Sequence, residues 1–275
     1  MTDQMVATSH GQIAVAESGG SGPAVLFIHG NSSCKEVFRN QMEGAIGQAY
    51  RCIAMDLPGH GNSPDAAEPT RSYTMPGYAE AALEVMQAKG AERYAIVGWS
   101  LGGHIGIEML PRAQNIAGLL ITGTPPVSKG EESVAAGFLP SEHMGLAGQE
   151  VFSEADADAY AHATCGINAP FEPFLLDAVR RTDGRARRCM FEAFLAGQGN
   201  DQRDVVESSK VPLAVANGGA EPFVNNDYCR SVDYANLWDG QVHTFEGVGH
   251  APFWETPAAF DALLQRFLKD IFASA

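Results

Sequence analysis

Short apolar runs recur along the first half of the chain. Ala24–Ile28 ends at His29-Gly30, Arg51–Met55 at Asp56, Tyr94–Val97 at Gly98 and Leu119–Thr122 at Gly123. Runs this short, almost wholly apolar and closed by glycine or a polar residue, are the pattern of strands buried on both faces. Between them lie stretches with helical spacing, such as Tyr78–Ala88, which puts Tyr78, Ala82, Leu83, Val85 and Met86 on one face. This alternation predicts a parallel sheet with right-handed crossovers. From Pro125 to about Ser209 no strand-like run occurs, and helices are predicted at Ser153–His162, Phe174–Val179 and Cys189–Leu195. The strand signal returns at Pro212–Ala216 and Val242–Phe245. Pro257–Phe272 then reads as a closing amphipathic helix with Thr256 as its N-cap. The expected organisation is a mostly parallel α/β core, residues 1–124 and 210–275, interrupted by a helical cap at 125–209.

Composition narrows the partners. The 275 residues are 45% hydrophobic and 19% charged, an ordinary globular balance. No apolar run approaches the ~20 residues of a membrane helix. The first 20 residues have neither a basic nor an apolar segment of a secretory leader. A net charge of -15 repels phosphate backbones and anionic bilayers, so neither nucleic acid nor a membrane is expected as a partner. The 5 scattered cysteines do not make a disulfide framework, and a cytoplasmic address is expected.

Gly98-Trp99-Ser100-Leu101-Gly102 follows the strand run Ala95-Ile96-Val97 and opens a helical stretch through Leu110. That is the strand–turn–helix setting of a nucleophile elbow. Small neighbours tolerate the sharp turn there, and the helix N-terminus offers N–H groups to an oxyanion. A serine needs a base to become nucleophilic. Among the 8 histidines, His250 in Gly249-His250-Ala251-Pro252 follows the last strand signal and returns to the sheet edge where the elbow points. His104 reads as a helix residue near the site, and His29 as a residue that orients its loop. The carboxylate that orients the base is expected after Pro212–Ala216, with Glu221 favoured over Asp227. Leu101 N–H, and Asn31 N–H in His29-Gly30-Asn31, are the candidate oxyanion donors.

Together these residues resemble the α/β-hydrolase superfamily, whose loop after the second central strand is similar to Asp56-Leu57-Pro58-Gly59-His60-Gly61-Asn62-Ser63. The resemblance narrows to the α/β-hydrolase type of N-acyl-homoserine lactonase, a quorum-quenching enzyme. It rests on His29 through Ser33, Gly98 through Met109, Ile121 through Val127, Leu146 through Glu150, Thr182 through Arg188, Glu221 through Val224 and Gly249 through Phe253. The resemblance implies an α/β-hydrolase fold, mostly parallel and flanked by helices. It also implies a Ser100–His250–Glu221 triad, an oxyanion hole of Leu101 and Asn31, and a lactone contact from Tyr160. Gly30, Trp99, Phe138 and Met144 are further candidates for substrate contact.

The reaction so implied opens the lactone ring and gives N-acyl-homoserine. It needs no cofactor and no metal, and the H-x-H-x-D-H run of the di-zinc route to the same chemistry is absent from the sequence. The alternatives are a general carboxylesterase, an acylase that cuts the amide, and a ligand sensor that retains the fold without turnover. Monomer and homodimer both remain open. The arginines Arg180, Arg181, Arg185, Arg187 and Arg188 read as a solvated face or as partners of cap carboxylates.

Overall fold

The computed structural model describes residues 2–273, so Met1, Ser274 and Ala275 of the expected core lie outside the described residues. Strands run at Thr2–Thr8 (β1), Gly11–Glu17 (β2), Ala24–Ile28 (β3), Arg51–Met55 (β4), Tyr94–Trp99 (β5), Ile116–Thr122 (β6), Leu213–Gly218 (β7) and His243–Phe245 (β8). They form one 8-stranded sheet in the order β1-β2-β4-β3-β5-β6-β7-β8. The ladders from β4 to β8 are parallel, and β1 and β2 are antiparallel.

The apolar runs become strands because both faces of the sheet are covered. Along β3, Leu26 and Ile28 join one buried cluster with the helix Met75–Ala88, while Val25 and Phe27 join a second with Phe260, Leu264 and Phe267 of the helix Pro257–Ala273. Thr74 caps the first of these helices through its hydroxyl, which accepts from Gly77 N–H at 3.0 Å. The first strand of the hairpin β1–β2 is almost wholly exposed and carries no clear apolar alternation, so its sequence does not predict it. It is fixed from outside by the pairing of Val15 with Met55.

Residues between β6 and β7 contribute no strand. They form the helices Glu131–Gly137, Glu154–Cys165, Pro173–Arg181, Gly184–Leu195 and Gln202–Ser208. Ser153 heads the second of these in a capping box with Asp156. Ala157, Tyr160, Ala161 and Val179 make a small core within the insert. Among the described residues, no helix is long and apolar enough to cross a membrane.

The strand order reverses at β3, which has β4 on one side and β5 on the other. Ile28 pairs with Gly98, and Trp99 with Thr122, so the chain leaves β3, β5 and β6 at nearly one level. Ligands of open α/β sheets bind at such a carboxyl edge. Ser100 follows β5, Asn31 follows β3, Glu221 follows β7 and His250 follows β8.

Candidate active site

Ser100 sits between β5 and the helix Leu101–Met109 with φ 54 and ψ -118, a region that a non-glycine residue enters at a cost of roughly 1–3 kcal/mol. Close packing enforces the turn. A β-carbon on Gly98 would strike the Gly102 carbonyl, and one on Gly102 would strike that of Ile28. Ser100 N–H donates to Thr122 O at 2.8 Å, and the Thr124 hydroxyl donates to Ser100 O at 2.8 Å, tying the elbow to the end of β6. Leu101 is the first helical residue, so its N–H has no carbonyl within the helix to serve.

His250 and Glu221 are brought together by the ends of β8 and β7. His250 Nδ1 lies 2.7 Å from Glu221 Oε1, with both side chains almost fully buried. Glu221 Oε1 also accepts from Phe223 N–H at 3.0 Å, while Oε2 has no partner. Facing a carboxylate, Nδ1 carries the proton, which leaves Nε2 as the basic nitrogen. Asp227 stands apart, in the helix Asn226–Ser231, exposed and paired with Arg230 at 2.9 Å.

A pocket partly open to solvent lies at this edge; Ser100, Leu101, Asn31, His250, Tyr160, Phe138 and Met144 all line it. Two expected contacts, Trp99 and Gly30, are not among the lining residues. Trp99 does not line the cavity: its indole packs behind the site, and its Nε1 donates to His250 O at 2.9 Å. At Gly30 the chain passes close to the elbow, where a β-carbon would meet the Trp99 ring at 3.1 Å and Ser100 Cβ at 3.2 Å. Of the other insert aromatics, Phe191 and Phe194 reach the cavity. Phe171 instead stacks on His162, and Phe174 packs edge-on against Trp254.

Asn31 faces the cavity with its side chain held by Ala147 O at 2.8 Å. Burial pushes the Tyr160 hydroxyl up to about 12, so it remains a neutral group beside the Asn31 side chain. Behind them lies a residue that the sequence reading grouped with surface cations. Arg180, Arg181, Arg185 and Arg188 do pair with carboxylates. Arg187 is buried and bonds instead to Gln149 O at 2.7 Å, Glu150 O at 3.0 Å and Ser32 Oγ at 3.3 Å, its guanidinium 3.9 Å from the Phe152 ring centroid. It thereby links the loop after β3 to the insert. Only the folded insert reveals this; along the sequence Arg187 is one arginine among several.

Three buried imidazoles near the site are held neutral by desolvation: His29 is shifted down, His60 to about 3 and His104 to about 4. His29 Nε2 accepts from Leu57 N–H at 3.0 Å, a bond that protonation would break. A lowered folded-state value means that the unfolded chain binds the protons first, so stability is complete above pH 6.5 and falls below it. Between pH 6.5 and 5, unfolding free energy drops by about 1 kcal/mol per pH unit for each of His60 and His104, and His29 contributes in the same direction. Urea unfolding at pH 7, 6 and 5 measures this; a midpoint that does not move contradicts it.

Comparison with known proteins agrees with this geometry. A model of the alpha/beta hydrolase family matches residues 25–263. The N-acyl homoserine lactonase AidH, as a mutant complexed with N-hexanoyl homoserine lactone, is 54% identical, with a TM-score of 0.96 over 98% of each chain. AidH complexed with N-butanoyl homoserine is likewise 54% identical, with a TM-score of 0.96 over 98% of this chain and 97% of that one. An uncharacterized protein of Mycobacterium bovis is 26% identical over 95% of this chain and 80% of its own length. With its elbow, its sheet order and a match across most of its length, the chain belongs to the alpha/beta hydrolase family.

Proposed function

We propose that this protein hydrolyses the ring ester of N-acyl-homoserine lactones, using Ser100 as nucleophile, His250 as base and acid, and Glu221 to orient and stabilise His250. One observation carries the reading. The chain aligns over 98% of its length, at 54% identity, with a lactonase complexed with an acyl-homoserine lactone, and the cavity here has a polar end at Ser100 and apolar walls.

In this mechanism Ser100 Oγ attacks the lactone carbonyl and its proton passes to His250 Nε2. The oxyanion is held by the N–H groups of Leu101 and Asn31, each worth about 10²–10³ in turnover. As the ring C–O bond breaks, His250 protonates the departing oxygen, which stays tethered as an alcohol. Water, deprotonated by His250, then cleaves the seryl ester. The product is N-acyl-homoserine, and Ser100 regains its proton. Residues 125–209 act as the cap over this site, with Tyr160 contacting the lactone and Phe138 and Met144 the acyl chain. The free, buried thiols fit a reducing, cytoplasmic setting.

Mass spectrometry of N-hexanoyl-homoserine lactone after incubation tests the reading. A single product heavier by one water is expected. Free hexanoate with homoserine lactone would mean an acylase, and turnover of simple esters alone would mean a carboxylesterase. A slow single turnover with a retained adduct would mean a sensor.

Gly123 offers a finer check. Its φ is +64, and a β-carbon there would come within 2.6 Å of His250 Cε1. Gly123→Ala displaces the imidazole and lowers kcat by about 10², the usual consequence of a misplacement near 1 Å. Steady-state kinetics with a folded variant reads this, and a kcat within threefold of the parent refutes it.

A further inference from the structure

A second, narrow pocket, partly open to solvent, adjoins the first. Met75 and Phe194 line both. His104 lines only the catalytic side and Gln202 only the far side, and they join at 2.6 Å through His104 Nδ1 and Gln202 Oε1. Gln202 Nε2 also reaches His104 O at 3.4 Å and Met75 Sδ at 3.5 Å. The wall between the cavities is therefore half clamped and half loose. His104 and Gln202 are locked to each other and buried. Met75 has an unbranched side chain, and Phe194 is only half-buried. Beyond the wall, the far pocket offers apolar surface from Val127, Val134 and Leu195, rimmed by Glu108, Lys129, Glu131 and Asn200.

We propose that Met75 and Phe194 form a partition that sets the acyl-chain length accepted at Ser100, and that longer tails lodge their distal carbons in the second cavity when the partition shifts. The inference rests on the acyl-homoserine lactone reading for its substrate, and on the two adjoining cavities for its geometry. The partition stays uncharged at neutral pH, as an apolar tail requires, because burial keeps His104 neutral.

Rates with hexanoyl and dodecanoyl substrates test it, measured in parallel on homoserine lactones and on p-nitrophenyl esters. In Phe194→Ala and in Met75→Ala, the dodecanoyl-to-hexanoyl ratio of kcat/KM rises at least about tenfold over the parent. Val134→Trp fills the far cavity, and added to Phe194→Ala it returns the ratio to the parental value. A ratio unchanged within twofold in both single variants overturns the proposal, as does a gain that survives Val134→Trp. If the esters follow this rule while no lactone is opened, the lactonase reading fails and the partition stands.

Discussion

Ser100→Ala lowers lactone turnover by about 10⁶ while the protein unfolds at the same urea concentration. The rate loss is the largest that any single change should give, because in this mechanism Ser100 forms the acyl bond. His250 and Glu221 would remain in place, yet general-base activation of water alone recovers little, and loss of the nucleophile costs about as much as loss of the whole triad. Stability is spared for a local reason. The strained turn at φ 54 is imposed by Gly98, Gly102 and the bonds to Thr122 and Thr124, all of which engage the backbone and none the hydroxyl. Activity above 1% of the parent would remove Ser100 from the mechanism.

Glu221→Gln lowers kcat by about 10³, somewhat less than the ~10⁴ that accompanies a reversed imidazole tautomer. The difference follows from the second bond at Glu221 Oε1. That oxygen accepts from Phe223 N–H as well as facing His250 Nδ1, so the amide of a glutamine cannot turn its NH₂ toward that corner. It must present its oxygen there and place the NH₂ where Oε2 lacks a partner. The tautomer survives, but the negative charge that steadies the imidazolium is gone, and a buried donor is left unpaired. The kinetic loss thus comes with a stability loss of about 1–3 kcal/mol. Kinetics and urea unfolding of one preparation measure both, and a loss in kcat under tenfold defeats the assignment of Glu221.

The strands Ala24–Ile28 and Arg51–Met55 appear in the structure with the bounds that their runs predicted; apart from Arg51 at the start of the second, every position is apolar and buried. Tyr94–Trp99 and Leu213–Gly218 each run two residues beyond the expected end, through glycine. Ladder pairing to neighbouring strands outweighs the poor strand propensity of Gly98 and Gly218. The helices Glu131–Gly137 and Gln202–Ser208 were not legible, being short and with few apolar residues to mark a face. Ser100, Glu221 and His250 were legible because the elbow dictates its glycines and the sheet dictates which loops meet it. Trp99 and Arg187 were not, since an indole turned behind the site and a guanidinium buried under the insert depend on contacts far away in the chain.

The cysteines have a practical consequence. Cys34, Cys52, Cys165, Cys189 and Cys229 are all buried, and desolvation raises every one of their thiols, Cys52 and Cys229 to about 12. Alkylating reagents and peroxide attack the thiolate, which such surroundings nearly abolish at neutral pH. The native protein should therefore resist iodoacetamide for hours, and the pace at which it is eventually labelled becomes a clock for how often the whole molecule comes open.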